Sequence, residues 1–179
     1  VPGRSWLSGK TCDLRPNYGS APVPAFSVYV SFSNFVGQSD PNPHPQLYVS
    51  ASDDCGKTFG NPVKVSNSVD VNSGSSLAVD PSTGHVYVVW RRFGDAAAGI
   101  PDAIYLSKST DGGRQFSNPK LVTNIKAFDQ ATTASSFCSN GFPSLAVSVD
   151  PAGASRIHVA WAERKAALDP ATRACLAPD

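Results

Sequence analysis

Two short clusters of charge follow tryptophans in this sequence. Arg91, Arg92 and Asp95 come just after Trp90, and Glu163 and Arg164 come after Trp161. A guanidinium is a planar fork of donors that meets a carboxylate bidentately. Arginines grouped at strand ends therefore have the chemistry to hold an acidic sugar. The connection from Phe93 to Asp102 is long and rich in glycine and alanine, as a ligand-facing loop would be. A plainer part is the expected one for the same residues: Arg–Asp pairs on a solvated rim.

Other reactive side chains offer less. His44, His85 and His158 share no metal-ligand spacing with one another or with a cysteine. Neither a metal nor a cofactor is expected. The cysteines stand at 12, 55, 138 and 175 with no C-x-x-C pair, which argues against zinc and thioredoxin-like chemistry. The 15 Lys and Arg are scattered and leave a net charge of +1, so the basic stripe of a nucleic-acid binder is missing. No apolar run approaches the roughly 20 residues of a membrane span. The chain begins Val1-Pro2-Gly3 and contains no Met, which reads as a processed product.

The elements that must position these residues emerge from self-similarity. The phrase Gln46-Leu-Tyr-Val-Ser-Ala-Ser52-Asp-Asp54-Cys-Gly56-Lys-Thr58-Phe59 returns as Ala103-Ile-Tyr-Leu-Ser-Lys-Ser109-Thr-Asp111-Gly-Gly113-Arg-Gln115-Phe116. Upstream, Val28-Tyr-Val-Ser-Phe32 returns as Val86-Tyr-Val-Val-Trp90 and again as Ile157-His-Val-Ala-Trp161. Ser76-Leu-Ala-Val is echoed by Ser144-Leu-Ala-Val, and Ser5-Trp6-Leu7-Ser8 holds the same place in the first copy. Asn34 stands in that copy where Arg92 stands in the second. Ser, Asn, Asp, Gly and Pro are abundant and Glu163 is the sole glutamate. Short strands between turns, an all-β chain, are the expected result. Strand alternation is only partial, which fits strands stacked between neighbouring sheets. Phe32, Trp90 and Trp161 occupy equivalent positions, suited to filling those gaps.

The turn phrases have physical sense. An Asp side chain accepts backbone N–H bonds across a tight turn, Gly supplies a positive φ, and Phe drops between sheets. Ser52, Asp54, Gly56, Thr58 and Phe59, with Ser109, Asp111, Gly113 and Phe116, resemble the Asp-box (bacterial neuraminidase repeat) motif of the sialidase superfamily; Gln115 replaces the threonine in the second box. The resemblance covers most of residues 5 to 165. It implies a β-propeller of four-stranded antiparallel blades with Asp-box turns. Residues 1–179 would form one partial propeller domain of about two and a half blades: 5–65, 75–122 and an incomplete 142–179. The remaining blades would come from more of the same protein or from a partner chain.

In that family the boxes are structural hairpins on the face opposite the ligand site. Catalytic members use a Tyr nucleophile activated by Glu, an Asp acid/base and three arginines on the substrate carboxylate. Their first arginine sits in an Arg-Ile-Pro phrase. Here Gly99-Ile100-Pro101 lacks the Arg and Arg156-Ile157 lacks the Pro. The segment is therefore expected to be non-catalytic, with a structural or glycan- or protein-recognition role. Two alternatives stand beside it: a fragment of an exo-sialidase-like glycoside hydrolase whose catalytic residues lie elsewhere, and a subunit of an extracellular assembly. Where a blade has four strands, its first and third turns share one face and its second turn and exit link the other. That places Cys12 with Cys55 and Cys138 with Cys175, two disulfides implying a secreted, extracellular or periplasmic protein.

Overall fold

The computed structural model describes residues 11–12, 23–24, 26–36, 44–67, 70–95, 97–126 and 141–163. These hold eleven strands and no helix. Among the described residues, then, no helix is long and apolar enough to cross a membrane. A short pair, β1 (Thr11–Cys12) and β2 (Val23–Pro24), comes first. Three antiparallel sheets follow in chain order: β3 (Val28–Val36), β4 (His44–Ser52) and β5 (Val63–Lys64); then β6 (Val71–Val79), β7 (Val86–Phe93), β8 (Asp102–Ser109) and β9 (Lys120–Ile125); then β10 (Ser144–Val149) and β11 (Ser155–Ala160). No sheet closes on itself among the described residues.

The repeat seen in the sequence is a repeat of pairing register. Val28 faces Ser52 and Phe32 faces Tyr48 across β3 and β4. Val86 faces Ser109 and Trp90 faces Tyr105 across β7 and β8. Likewise Ser76 and Val79 face Val89 and Val86, as Ser144 and Val147 face Ala160 and Ile157. Since strand side chains alternate faces with period two, a one-residue slip would turn each apolar set outward. The conserved register therefore keeps equivalent residues on equivalent faces.

Consecutive sheets pack face against face. Leu47 and Val49 of β4, with Val65, lie against Val88 and Trp90 of β7, and Leu77, Tyr105 and Phe116 complete that core. One sheet on, Ile104 of β8 and Ile125 of β9 receive Val159 of β11. β7 is covered on both sides, so Val86 through Arg91 are all buried, which explains its continuous apolar run. Trp90 is 1% exposed and its indole N–H donates to Asn72 Oδ1 at 2.8 Å, the partner a buried indole needs.

Two local departures from regular pairing have clear causes. Between Ser73 and Ser76 the register of β6 shifts, and Gly74 there has φ +68° beneath the ring of Phe142. No Cβ fits at that point. β5 is only two residues long because serine takes over from the ladder: the Leu47 N–H donates to Ser66 Oγ at 2.8 Å.

Of the strands expected per unit, four are present in the second sheet, three in the first and two in the third. The Ser5–Ser8 strand lies outside the described residues. Phe59 departs from the expectation that it drops between sheets, being 44% exposed. Its counterpart Phe116 packs on the preceding sheet, whereas Val30, Phe32 and Phe59 are all exposed on a face that no described sheet covers.

Candidate functional site

At the end of each third strand a Ser-x-Asp-x-Gly turn is built by the same bonds. Ser52 Oγ donates to Asp54 Oδ1 (2.7 Å) and accepts from the Gly56 N–H (2.9 Å). Ser109 does the same with Asp111 (2.7 Å) and Gly113 (2.8 Å). Asp54 Oδ1 then accepts the Thr58 N–H at 2.9 Å, and Asp111 Oδ1 the Gln115 N–H at 3.0 Å. The threonine adds its hydroxyl to Asp54 Oδ2 at 2.6 Å. Gln115 replaces that threonine without loss of the backbone bond, because the N–H is common to both.

These bonds hold the carboxylates ionised. The Thr58 hydroxyl, then its N–H and the Ser52 hydroxyl, pull the Asp54 pKa far below the usual 3.8. For Asp111, burial raises the pKa, but the Ser109 hydroxyl and the N–H groups of Gln115 and Arg114 outweigh it. Asp54 accepts bonds on both oxygens inside its turn, and Asp111 on Oδ1. Cys55, at φ +65°, is the one described non-glycine residue with positive φ, and it is disulfide-bonded. The side chain of Cys12, and Cys138 and Cys175, lie outside the described residues, as does Arg164.

The charged group after Trp90 sits at the other end of the sheet. Arg91 is buried, and its Nε and Nη2 reach Asp102 Oδ1 at 3.1 and 2.8 Å. Its guanidinium also lies 4.0 Å from the Phe93 ring centroid. Asp102 Oδ1 accepts the Gly94 N–H as well, so the pair closes the loop at its neck. Arg92 is half-buried: Nη2 donates to the Pro101 carbonyl at 2.9 Å, and the guanidinium lies 5.5 Å from the Tyr105 ring. Its Nε is buried with no hydrogen-bond partner.

Asp95 shapes the loop tip. Its backbone pairs with Ile100 in both directions, and its Oδ1 accepts the N–H groups of Ala97 and Ala98. Arg91, Asp102, Ile100 and Lys126 line a shallow groove of about 510 Å³. Glu163 is not part of that groove; it accepts the Trp161 indole N–H at 3.3 Å. Sequence order had not revealed Asp102 as the partner of Arg91, or Lys126 as a neighbouring cation. Both arrive across strand pairs from positions remote in the chain.

Among the described residues no group of three His, Cys, Asp or Glu side chains is arranged to hold a metal ion. Comparison with known families finds no matching family model, and comparison with curated proteins finds no significant relative.

Proposed function

We propose that the chain is a segment of an Asp-box β-propeller from a secreted or surface protein, acting as a non-catalytic scaffold that recognises glycan or protein. The duplicated Ser-x-Asp-x-Gly turn supports this reading most directly. Two turns with the same internal bonds end equivalent strands of consecutive stacked sheets, which is how successive blades are built. Both aspartates bond their own turns, through both oxygens of Asp54 and Oδ1 of Asp111, which supports a structural part for the turn end. The loop end carries the recognition role.

There Lys126 offers positive charge in a groove that it lines with Arg91; Arg91 is held by Asp102, and Arg92 lies outside the groove, over Tyr105. That arrangement suits a carboxylated sugar more than a reaction, since among the described residues that line it there is no glutamate, serine, threonine, cysteine or tyrosine. The disulfide at Cys55 agrees with an oxidising compartment.

A glycan array enriched in carboxylated sugars tests the reading. Binding that weakens on Lys126→Ala is the expected result. Turnover of a fluorogenic sialoside by the native protein would instead favour the glycoside hydrolase, and an array with no binder at all would remove the glycan reading.

A further inference from the structure

Asp102 uses one of its two carboxylate oxygens and leaves the other open. Oδ1 accepts from Arg91 Nε at 3.1 Å, from Arg91 Nη2 at 2.8 Å and from the Gly94 N–H at 3.1 Å. Among the described residues nothing donates to Oδ2. A carboxylate oxygen has lone pairs for two donors. The side chain that carries this one is 23% exposed and lines the groove of about 510 Å³ at the loop end.

The same groove holds an opposite pole. Asp102 faces Ile125 across β8 and β9, and Lys126, the next residue, lines the groove as well. Lys126 is exposed and has no ion-pair partner among the described residues. Arg91 adds no open charge, since its side chain is 5% exposed and Asp102 neutralises it. Phe93, Ile100, Pro101 and Ile125 make the other walls apolar. The loop wall is set before any ligand arrives. Asp95 and Ile100 exchange backbone bonds of 2.9 and 2.8 Å, and Asp102 Oδ1 fastens the neck through Gly94. A wall already ordered avoids part of the entropy lost on binding.

We infer that this groove selects ligands that carry a carboxylate and a hydrogen-bond donor on one ring-sized body, and that Asp102 determines the second requirement. Lys126 meets the carboxylate. Asp102 Oδ2 accepts from a hydroxyl or ammonium of the same molecule. Oδ1 is kept by the protein itself, to neutralise the buried Arg91 and hold the loop, so the two oxygens divide their work between fold and ligand. A site built to hydrogen-bond a ligand group rejects the analogue lacking it more strongly than an apolar pocket rejects a lost methylene, because the site's own polar atom is left unpaired. A uronic acid ring has both groups. The inference rests on the loop end being the recognition face and adds what that face demands of its ligand.

The probes are glucuronate, glucose, cyclohexanecarboxylate and aminocyclohexanecarboxylate, each titrated into the 179-residue chain and followed by amide NMR shifts. Glucuronate should saturate with shifts at Gly94, Ile100, Asp102 and Lys126, and glucose and cyclohexanecarboxylate should bind at least about tenfold more weakly. Asp102→Asn keeps an oxygen for Arg91 and Gly94 and places an amide NH2 at the other position. It should weaken glucuronate about tenfold and leave cyclohexanecarboxylate unchanged. Equal weakening of both acids would reduce Asp102 to a structural part and overturn the inference. So would equal affinity of the native chain for the two acids, or no saturation by any probe at about 10 mM, and neither result depends on the variant folding. Carboxylated glycans bound on an array without this selectivity would leave the glycan reading standing alone. Binding of aminocyclohexanecarboxylate without glucuronate would support the two-pole site and remove the sugar.

Discussion

Ser155 Oγ, at the start of β11, donates a 2.5 Å hydrogen bond to Oδ2 of Asp80, in the turn between β6 and β7. The two residues are 75 positions apart and belong to neighbouring sheets. Asp80 also accepts the Ser82 N–H (2.8 Å), the Ser82 hydroxyl (2.7 Å) and the Thr83 hydroxyl (2.8 Å). A single buried carboxylate therefore folds its own turn and ties that turn to the next sheet. Asp80→Ala would remove these four bonds together and should cost about 2–4 kcal/mol, against about 1 kcal/mol for Ser155→Ala. A double-mutant cycle read by urea unfolding should show coupling between the two. Strict additivity would mean the inter-sheet bond contributes nothing.

Acid should loosen the molecule through these same carboxylates. Burial raises the pKa of Asp80, but the hydroxyls of Ser155, Ser82 and Thr83 outweigh it and hold the pKa far below 3.8. Asp54 and Asp111 are lowered likewise. A carboxyl whose folded pKa is depressed stabilises the fold fully above its unfolded value, near 3.9, and loses that contribution as pH falls through the folded pKa. The urea midpoint should be flat with respect to these groups from pH 5 to 7 (about one pH unit or more above the unfolded value) and drop steeply below about 4. Asp54→Asn should reduce that acid-side slope. A midpoint indifferent to pH between 4 and 2 would contradict the bonding described.

Gly74 is required twice over, by φ +68° and by the ring of Phe142 above it. Gly74→Ala should cost about 1–2 kcal/mol for the left-handed backbone, with overpacking of about 1–3 kcal/mol added. Phe142→Ala in the same chain should recover the overpacking share and leave the backbone share. Thermal unfolding of the two single variants and the double variant separates them. Equal losses with and without Phe142 would show that the ring moves aside freely.

How much of this was legible beforehand depends on range. Ser52, Asp54 and Gly56 lie within five residues, so their turn could be read directly, and its return at Ser109, Asp111 and Gly113 disclosed the stacked units. Register is a finding of the sheets: Val28 and Val86 stand 24 and 23 positions before Ser52 and Ser109, yet each faces its serine. What stayed hidden were partners brought from elsewhere. Arg–Asp pairing was one of the two readings for Arg91, but its partner, Asp102 on the next strand, was not named by the sequence. Phe59 and Phe116 hold the same place in the two turns, but among the described residues only Phe116 has a sheet to pack against. Burial belongs to the neighbour as much as to the residue.

Cys55 and Gly112 hold the same place in the two turns, at φ +65° and +74°, and give a clean test of why a cysteine stands there. An L-residue in the left-handed region costs about 1–2 kcal/mol relative to glycine, so the second turn uses the residue the backbone prefers. In the first, the side chain is needed for the disulfide, and the crosslink offsets the backbone cost. Cys55→Gly and Cys55→Ala both abolish the bond, so their difference isolates the backbone. Cys55→Gly should be the more stable by about 1 kcal/mol, while under oxidising conditions both should lie about 2–4 kcal/mol below the native chain. Chemical unfolding of the three proteins, with and without reductant, gives the comparison. If Cys55→Ala proved as stable as Cys55→Gly, the turn would have to relax out of the left-handed conformation once the bond is gone.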